Sequence, residues 1–522
     1  MSKPFLQFSD VTFYYDTMDV PVFERLSFEC HEGWTGVIGA NGSGKTTLLR
    51  LACQDLTPQA GNVRSSDGVS YCPQRTDDPP DGLDAFLQAA DAGSAELRGR
   101  LHVEPDWAER WASLSHGERK RAQIAVALWR RPGVFALDEP TNHIDSDARR
   151  LLADALGTFR GVGLLVSHDR ELLDSLCSRC LSLHPPHVVM RPGGYTKAAS
   201  LEEAERERAK LVHARAKRDV NRLRREAADR RREAAQADRK RSKRHLARGD
   251  SDAREKIDRA RVTGKDGQAG RVSKQLEGRL RQAQDNLRSI EVHRERALGI
   301  HMQGETIGRP TLFQLPGGTL QMGSERVLDY PRLEMLRDDR IAVTGPNGSG
   351  KTTLISHILA NLTLPAGKVV YLPQEVPAEQ GAVLIDEARR LPPDVLGDVM
   401  SYVSRLGSDP DRLLQTELPS PGEVRKLMLA LGVSRRPHLI VMDEPTNHLD
   451  LPSIECLEDA LDEAACGLLL VSHDLYFLRR LCGIRWETRP EDQIGAVQRS
   501  VLHVTRAWGT PEGVHARRGQ AT

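Results

Sequence analysis

The stretch that most limits what this chain can become is residues 39 to 47, Gly-Ala-Asn-Gly-Ser-Gly-Lys-Thr-Thr. Glycines let backbone N–H groups close around phosphates, the lysine reaches them, and the hydroxyl that follows meets magnesium. The stretch recurs at residues 345 to 353 as Gly-Pro-Asn-Gly-Ser-Gly-Lys-Thr-Thr, so Lys351 follows Lys45 by 306 positions. Two α/β units are therefore expected, each with one nucleotide site. In the first, Gly39, Asn41, Gly42, Gly44, Lys45, Thr46 and Thr47 are assigned to ATP. In the second, Gly345, Asn347, Gly348, Gly350, Lys351, Thr352 and Thr353 take those places.

The motifs downstream repeat as well. Residues 34 to 38 run as an apolar strand into the first loop, and Tyr-Cys-Pro-Gln at 71–74 follows its helix with Gln74. Ser115, Gly117 and Glu118 then open a helical stretch that Pro132 ends. Free N–H groups and the positive end of the dipole would face an anion there, although a plain N-cap reads the same way. Val134 to Leu137 reads as a buried strand ending in Asp138 and Glu139. An aspartate in that place can hold the magnesium shell, and a glutamate can orient an attacking water. Thr141-Asn142-His143-Ile144-Asp145 comes next, and the strand at 163–166 delivers His168. Adding 305 to Asp138, Glu139 and His168 gives Asp443, Glu444 and His473, and Gln374 closes a second Tyr-Leu-Pro-Gln. The second helix opening is degenerate, with Ser420, Gly422 and Glu423 interrupted by Pro421. Tyr15, 24 residues before Gly39, either stacks on an adenine ring or packs on a sheet; no aromatic stands near residue 321, its counterpart.

Length predicts about three to four domain-sized units in 522 residues. The net charge of the whole is +1, yet residues 201–300 hold 30 Lys and Arg against 18 Asp and Glu. Basic charge so concentrated points to a polyanionic partner. Residues 196 to 305 contain no Phe, Trp or Tyr and cannot build a core. Their Ala, Glu, Arg and Leu content favours long helices, roughly 75 Å for the stretch from Ala198 to Arg248 at 1.5 Å per residue. Glycines at 249, 264, 267 and 270 mark interruptions, and 271–298 reads as a return helix. An antiparallel hairpin with its tip near 249–270 is expected, with Arg239, Lys240, Arg241, Lys243 and Arg244 as RNA contacts through phosphate charge. Without aromatics, base stacking is not its mode of recognition.

No run of 18 apolar residues and no signal-peptide pattern occurs, so a cytoplasmic protein is expected. The one close cysteine pair, Cys177 and Cys180, lacks a second pair at ligand spacing, and neither zinc nor disulfides are expected. The chain divides into a first domain at 1–195, the linker at 196–305, a second domain at 306–490, and a tail at 491–522 expected to be mobile.

With both motif sets in place, the chain resembles the ABC-F family of ATPases: two P-loop ABC-type nucleotide-binding domains, no membrane domain, and a charged helical linker. Asp-Glu-Pro-Thr-Asn-His-Ile-Asp at 138–145 and Asp-Glu-Pro-Thr-Asn-His-Leu-Asp at 443–450 carry that resemblance most strongly. It implies a monomer whose domains close head to tail on two ATPs, with Mg2+ held by Thr46, Gln74 and Asp138 in one site and by Thr352, Gln374 and Asp443 in the other. Lys45, Glu139 and His168 would face Ser420, Gly422 and Glu423, while Lys351, Glu444 and His473 would face Ser115, Gly117 and Glu118. Glu139 and Glu444 would polarise water, with His168 and His473 sensing the γ-phosphate. The linker would enter the ribosome at the exit-tRNA site, against large-subunit rRNA and P-site tRNA. Only about 40 residues separate Gln74 from Ser115, which leaves no room for the extra arm of one type of general translation factor. The long linker resembles the antibiotic-resistance group. A general factor that relieves stalled ribosomes is the alternative. A transporter subunit is disfavoured by the linker, and a DNA-repair ATPase by the absence of a cysteine zinc module.

Overall fold

The computed structural model describes residues 3–16, 20–66, 68–142, 144–185, 187–241, 265–289, 311–323, 326–416, 419–447, 449–491 and 498–506. The chain divides into two compact units, residues 1–198 with 296–522, and residues 199–295.

The first unit contains two α/β halves built alike. In the first half, six strands run in the order Val69–Cys72, Val134–Asp138, Val162–Val166, Gly33–Gly39, Cys177–His184, His187–Pro192. All neighbours are parallel except the last pair. Parallel central strands are covered on both faces, which is why Val134–Asp138 and Val162–Val166 are buried at every position. Gly163 has no room for a side chain, since a Cβ there would lie 2.3 Å from the Trp34 ring. A three-stranded antiparallel sheet, with Phe5–Phe13 between Phe23–His31 and Ala60–Ser65, covers the helix that follows the first phosphate loop. Leu48, Leu49 and Leu51 of that helix are buried with Leu6, Phe8 and Val37 in one core.

The second half repeats the order as Val369–Leu372, Leu439–Asp443, Gly467–Val471, Arg340–Thr344, Ile484–Pro490, Gln498–Thr505, then adds Arg326–Tyr330 and Gly318–Gln321. Gln498–Thr505 corrects the expectation that everything past 490 is an unstructured tail. It pairs antiparallel with Ile484–Pro490 and parallel with Arg326–Tyr330, and buries Ser500 and Leu502 at alternate positions. Only three of its eight residues are apolar, so its place shows only once both neighbours are present. The rest of the expected tail, residues 492–497 and 507–522, lies outside the described residues.

The second unit is helical. One helix spans Tyr195–Arg241, 47 residues, and another Lys265–Ser289. Residues 265–270, expected in the tip, are instead the start of this second helix, because Gly267 and Gly270 do not break it; the rest of the expected tip, 249–264, lies outside the described residues, as do Lys243, Arg244 and the stretch 290–310. Val220, Leu223 and Ala227, spaced three and four apart, are buried on the first helix. They form one apolar stripe along the helix.

Candidate functional site

In the first half the phosphate loop leaves the central strand Gly33–Gly39 and feeds the helix Lys45–Ala52. Gly44 has φ 90°, and a Cβ there would meet Val22 at 2.7 Å, so only glycine closes the loop. Lys45 Nζ donates to Gly39 O (2.9 Å) and Ala40 O (3.1 Å), folded over its own loop where phosphate oxygens would compete for it. Lys351 does the same to Gly345 O and Pro346 O, both at 2.9 Å. Burial lowers both lysine pKa values, opposed by Glu139 in one case and Glu444 in the other.

Thr46 Oγ1 donates to Asp138 Oδ2 at 2.7 Å, and Thr352 Oγ1 to Asp443 Oδ2 at 2.7 Å. A hydroxyl and one carboxylate are hard oxygen donors suited to magnesium, which keeps waters and phosphate oxygens for its other positions. Among the described residues no group of three or more His, Cys, Asp and Glu side chains could hold a metal alone. All eight cysteines are free and buried.

Each glutamate that ends its strand stands in the left-handed region, Glu139 at φ 45° and Glu444 at φ 49°. Such a conformation in a non-glycine residue persists only where the surroundings impose it. Here Glu139 N donates to Val166 O (2.9 Å) and Glu444 N to Val471 O (2.8 Å). The turn aims the carboxylates at the histidine loops: His168 Nε2 lies 3.0 Å from Glu139 Oε1, and His473 Nε2 3.5 Å from Glu444 Oε1. Those two oxygens are buried and accept no hydrogen bond, while the other oxygen of each accepts from the backbone N–H of the same histidine, at 3.2 Å and 3.3 Å. Burial pushes Glu139 up to about 8 and Glu444 up to about 7, partly offset by Lys45 and Lys351. Burial, with the neighbouring lysine, pushes His168 and His473 down to about 3, so both imidazoles are neutral.

The two halves meet at these sites. Asn41 N, in the first phosphate loop, donates to Asp450 Oδ2 of the second half at 2.6 Å. Burial raises Asp450, but Ser453, the Asn41 N–H and Lys426 outweigh it and hold the carboxyl below its ordinary value. A cavity of about 450 Å³ around Lys351, Thr352, Gln374, Glu444 and His473 is closed by Thr141, Asn142, Ile144 and Arg149 of the first half. The segments that follow Asp138-Glu139 and Asp443-Glu444 thus reach across to the other half.

The structure does not bring Ser115, Gly117 or Glu118 into that cavity's walls. Ser115 instead accepts from Glu118 N (3.3 Å) while Glu118 Oε2 accepts from Ser115 N (2.7 Å). Ser420 and Glu423 form the same reciprocal cap, with Pro421 at the first helical position. Gly117 is near Ile144, which does line the cavity; a Cβ there would stand 3.8 Å from that side chain. Tyr15 sits edge-on to Phe13 at 5.0 Å, its hydroxyl 3.0 Å from Thr47 Oγ1, which is the packing arrangement. Met322, one residue from the expected counterpart, lines the second cavity where an aromatic was sought. Gln374 also lines it, and Gln74 accepts through its backbone from Lys120 Nζ at 3.1 Å.

Lys120 and its counterpart Arg425 went unnoticed in the sequence. Each lies on the helix begun by Ser115 or Ser420, and each binds the carbonyl of the glutamine that follows the Tyr-x-Pro stretch. Their matching places in the two copies were the available signal. Asp450 matches Asp145 in the first copy, but its partner Asn41 lies in the other half, and Arg149, which faces Ile454 in the alignment of the copies, carried no such signal.

The family model described as ABC transporter matches residues 23–142 and 328–447. Two such domains on one chain define the class, an ABC-type ATPase. Its homologues are ABC-F proteins, antibiotic-resistance ones among them. It is 29% identical over 492 residues to the ribosome protection protein VmlR of Bacillus subtilis (strain 168), covering 89% of this chain and 84% of that protein. Over 548 residues it is 29% identical to the tylosin resistance ATP-binding protein TlrC of Streptomyces fradiae, covering 93% and 97%. A solved structure of the RNase-L Inhibitor shares the fold at 18% identity, with a TM-score of 0.58 over 94% of this chain and 90% of that one. No helix among the described residues is long and apolar enough to cross a membrane.

Proposed function

We propose that this ATPase acts on the ribosome in the cytoplasm, inserting residues 196–305 at the exit-tRNA site and protecting translation from antibiotics bound near the peptidyl-transferase centre or exit tunnel. The observation that carries this reading is the 47-residue helix leaving the first ATPase half at Tyr195, in a stretch with a charge excess of +12. Relatives named for ribosome protection and for tylosin resistance support the same reading. Arg239, Lys240, Arg241, Lys243 and Arg244 would meet phosphates of large-subunit rRNA and P-site tRNA.

ATP binding draws the halves together until Ser420, Gly422 and Glu423 reach the phosphates on Lys45, and Ser115, Gly117 and Glu118 those on Lys351. Thr46, Gln74 and Asp138, or Thr352, Gln374 and Asp443, would hold Mg2+, which would supply positive charge to offset that of the phosphates. Glu139 and Glu444, once ionised, orient the attacking water, and the neutral His168 and His473 donate toward the γ-phosphate. Hydrolysis loosens the clamp and frees the linker.

Two measurements test this. A chain carrying Glu139→Gln and Glu444→Gln should sediment with ribosomes in ATP and hydrolyse little; failure in both respects refutes the mechanism. Minimum inhibitory concentrations across ribosome-targeting drugs, with and without the gene in a sensitive host, should rise for one drug group. Unchanged values with retained ribosome binding would favour a general factor for stalled ribosomes.

A further inference from the structure

Arg149 stands one turn into the helix Ser146–Leu156, which Asp145 caps by accepting from Ala148 N. Its guanidinium leaves its own half. Nη1 donates to the His473 carbonyl oxygen of the second half at 3.0 Å, while Nε lies 3.0 Å from Asp169 Oδ2. Asp169 directly follows His168, so one side chain, 17% exposed, touches the histidine loops of both ATP sites. It lines the same cavity as Lys351, Glu444 and His473. Burial raises Glu444 and lowers His473, and the nearby charge of Arg149 acts to lower both.

The duplication supplies the comparison. The position matching Arg149 in the second half is Ile454, which also lines this cavity and has no charge or hydrogen-bonding group. The carbonyl of His168 therefore receives no guanidinium from Ile454, although the flanking residues His168-Asp169 and His473-Asp474 match.

We propose that Arg149 is a cross-domain positioning residue. Anchored on Asp169, it fixes the His473 loop and so holds His473 beside Glu444 in the second site, a hold that Ile454 cannot give the first site. A charged donor on a peptide oxygen keeps the imidazole in place when hydrolysis changes the charge beside it. Because the same guanidinium contacts Asp169, movement of the His473 loop is also passed to the loop of His168.

This rests on Glu139 and Glu444 as the water-orienting residues, and the experiment exposes that assumption. In the full-length chain, Glu139→Gln leaves the second site as the source of turnover and Glu444→Gln leaves the first. Adding Arg149→Ile, the residue found at the matching position, should lower kcat about tenfold in the Glu139→Gln chain, with KM moving less than about threefold. In the Glu444→Gln chain the loss should stay below about threefold. Arg149→Lys keeps the charge but loses the fork, and should recover part of the kcat; it also serves if Arg149→Ile does not fold. Equal fractional losses in the two backgrounds, or no loss in the Glu139→Gln chain, would overturn the proposal. If neither glutamine variant slows hydrolysis, the site assignment fails and takes this proposal with it.

Discussion

Arg170 of the first half and Glu458 of the second form an ion pair at 2.8 Å with side chains only 3% and 1% exposed. The other oxygen of Glu458 accepts from Arg480 at 2.9 Å. The guanidinium of Arg170 lies over the rings of Tyr476 (4.7 Å) and Tyr195 (5.7 Å), which cover the nitrogens that make no hydrogen bond. Tyr195 in turn donates to Glu455 Oε1 at 2.6 Å. The histidine loop of the first site, two residues before Arg170, is thereby joined to the second half and to the first turn of the long helix.

Glu458→Ala leaves Arg170 buried without its partner and should destabilise the chain by about 3–5 kcal/mol. The matching positions in the other copy are Leu475 and Ala153. A chain with Glu458→Ala and Arg170→Leu should therefore regain much of that loss. Urea unfolding of the two single variants and the double variant checks this; additive losses would count against it.

The pH dependence of hydrolysis follows from the raised glutamates. Each must be ionised to accept a proton from water, so rates should rise with pH. In the Glu139→Gln chain the rise should centre near 7, where Glu444 titrates, and in the Glu444→Gln chain near 8, where Glu139 does. Coincident profiles, or a rate that falls over this range, would contradict the assignment.

The two sites should turn over unequally for a second reason. The helix Pro421–Ser434 begins with the same reciprocal cap as the helix His116–Trp129, so backbone geometry is matched and the missing N–H of Pro421 is the local difference. If that N–H meets phosphate in the closed state, its loss costs the site of Lys45 and Glu139 about 1.5–3 kcal/mol. Glu444→Gln should then remove most ATPase activity and Glu139→Gln little. Equal losses in steady-state assays would sink the asymmetry.

Neutralising Arg239, Lys240, Arg241, Lys243 and Arg244 together should weaken ribosome binding and flatten its dependence on salt, since each lost phosphate contact removes a released counterion. Binding curves at several salt concentrations read this directly. An unchanged slope would place the contacts elsewhere.

What the sequence determined by itself was local and repeated. Gly44, Lys45 and Thr46 act within a single turn, and the 305-residue offset identified Glu444 and His473 from Glu139 and His168 without any coordinates. The helical character of the linker was equally legible, because a stretch without aromatics and rich in Ala, Glu and Arg has no other regular structure open to it. Tertiary structure decided the rest. Asp450 reads as a helix cap until Asn41 of the other half is seen to donate to it. Arg149 reads as a solvated charge until His473 stands beside it, and Gln498–Thr505 as tail until a strand lies on each side. In all three cases the partner is distant in sequence, and periodicity and motif spacing report only on neighbours along the chain.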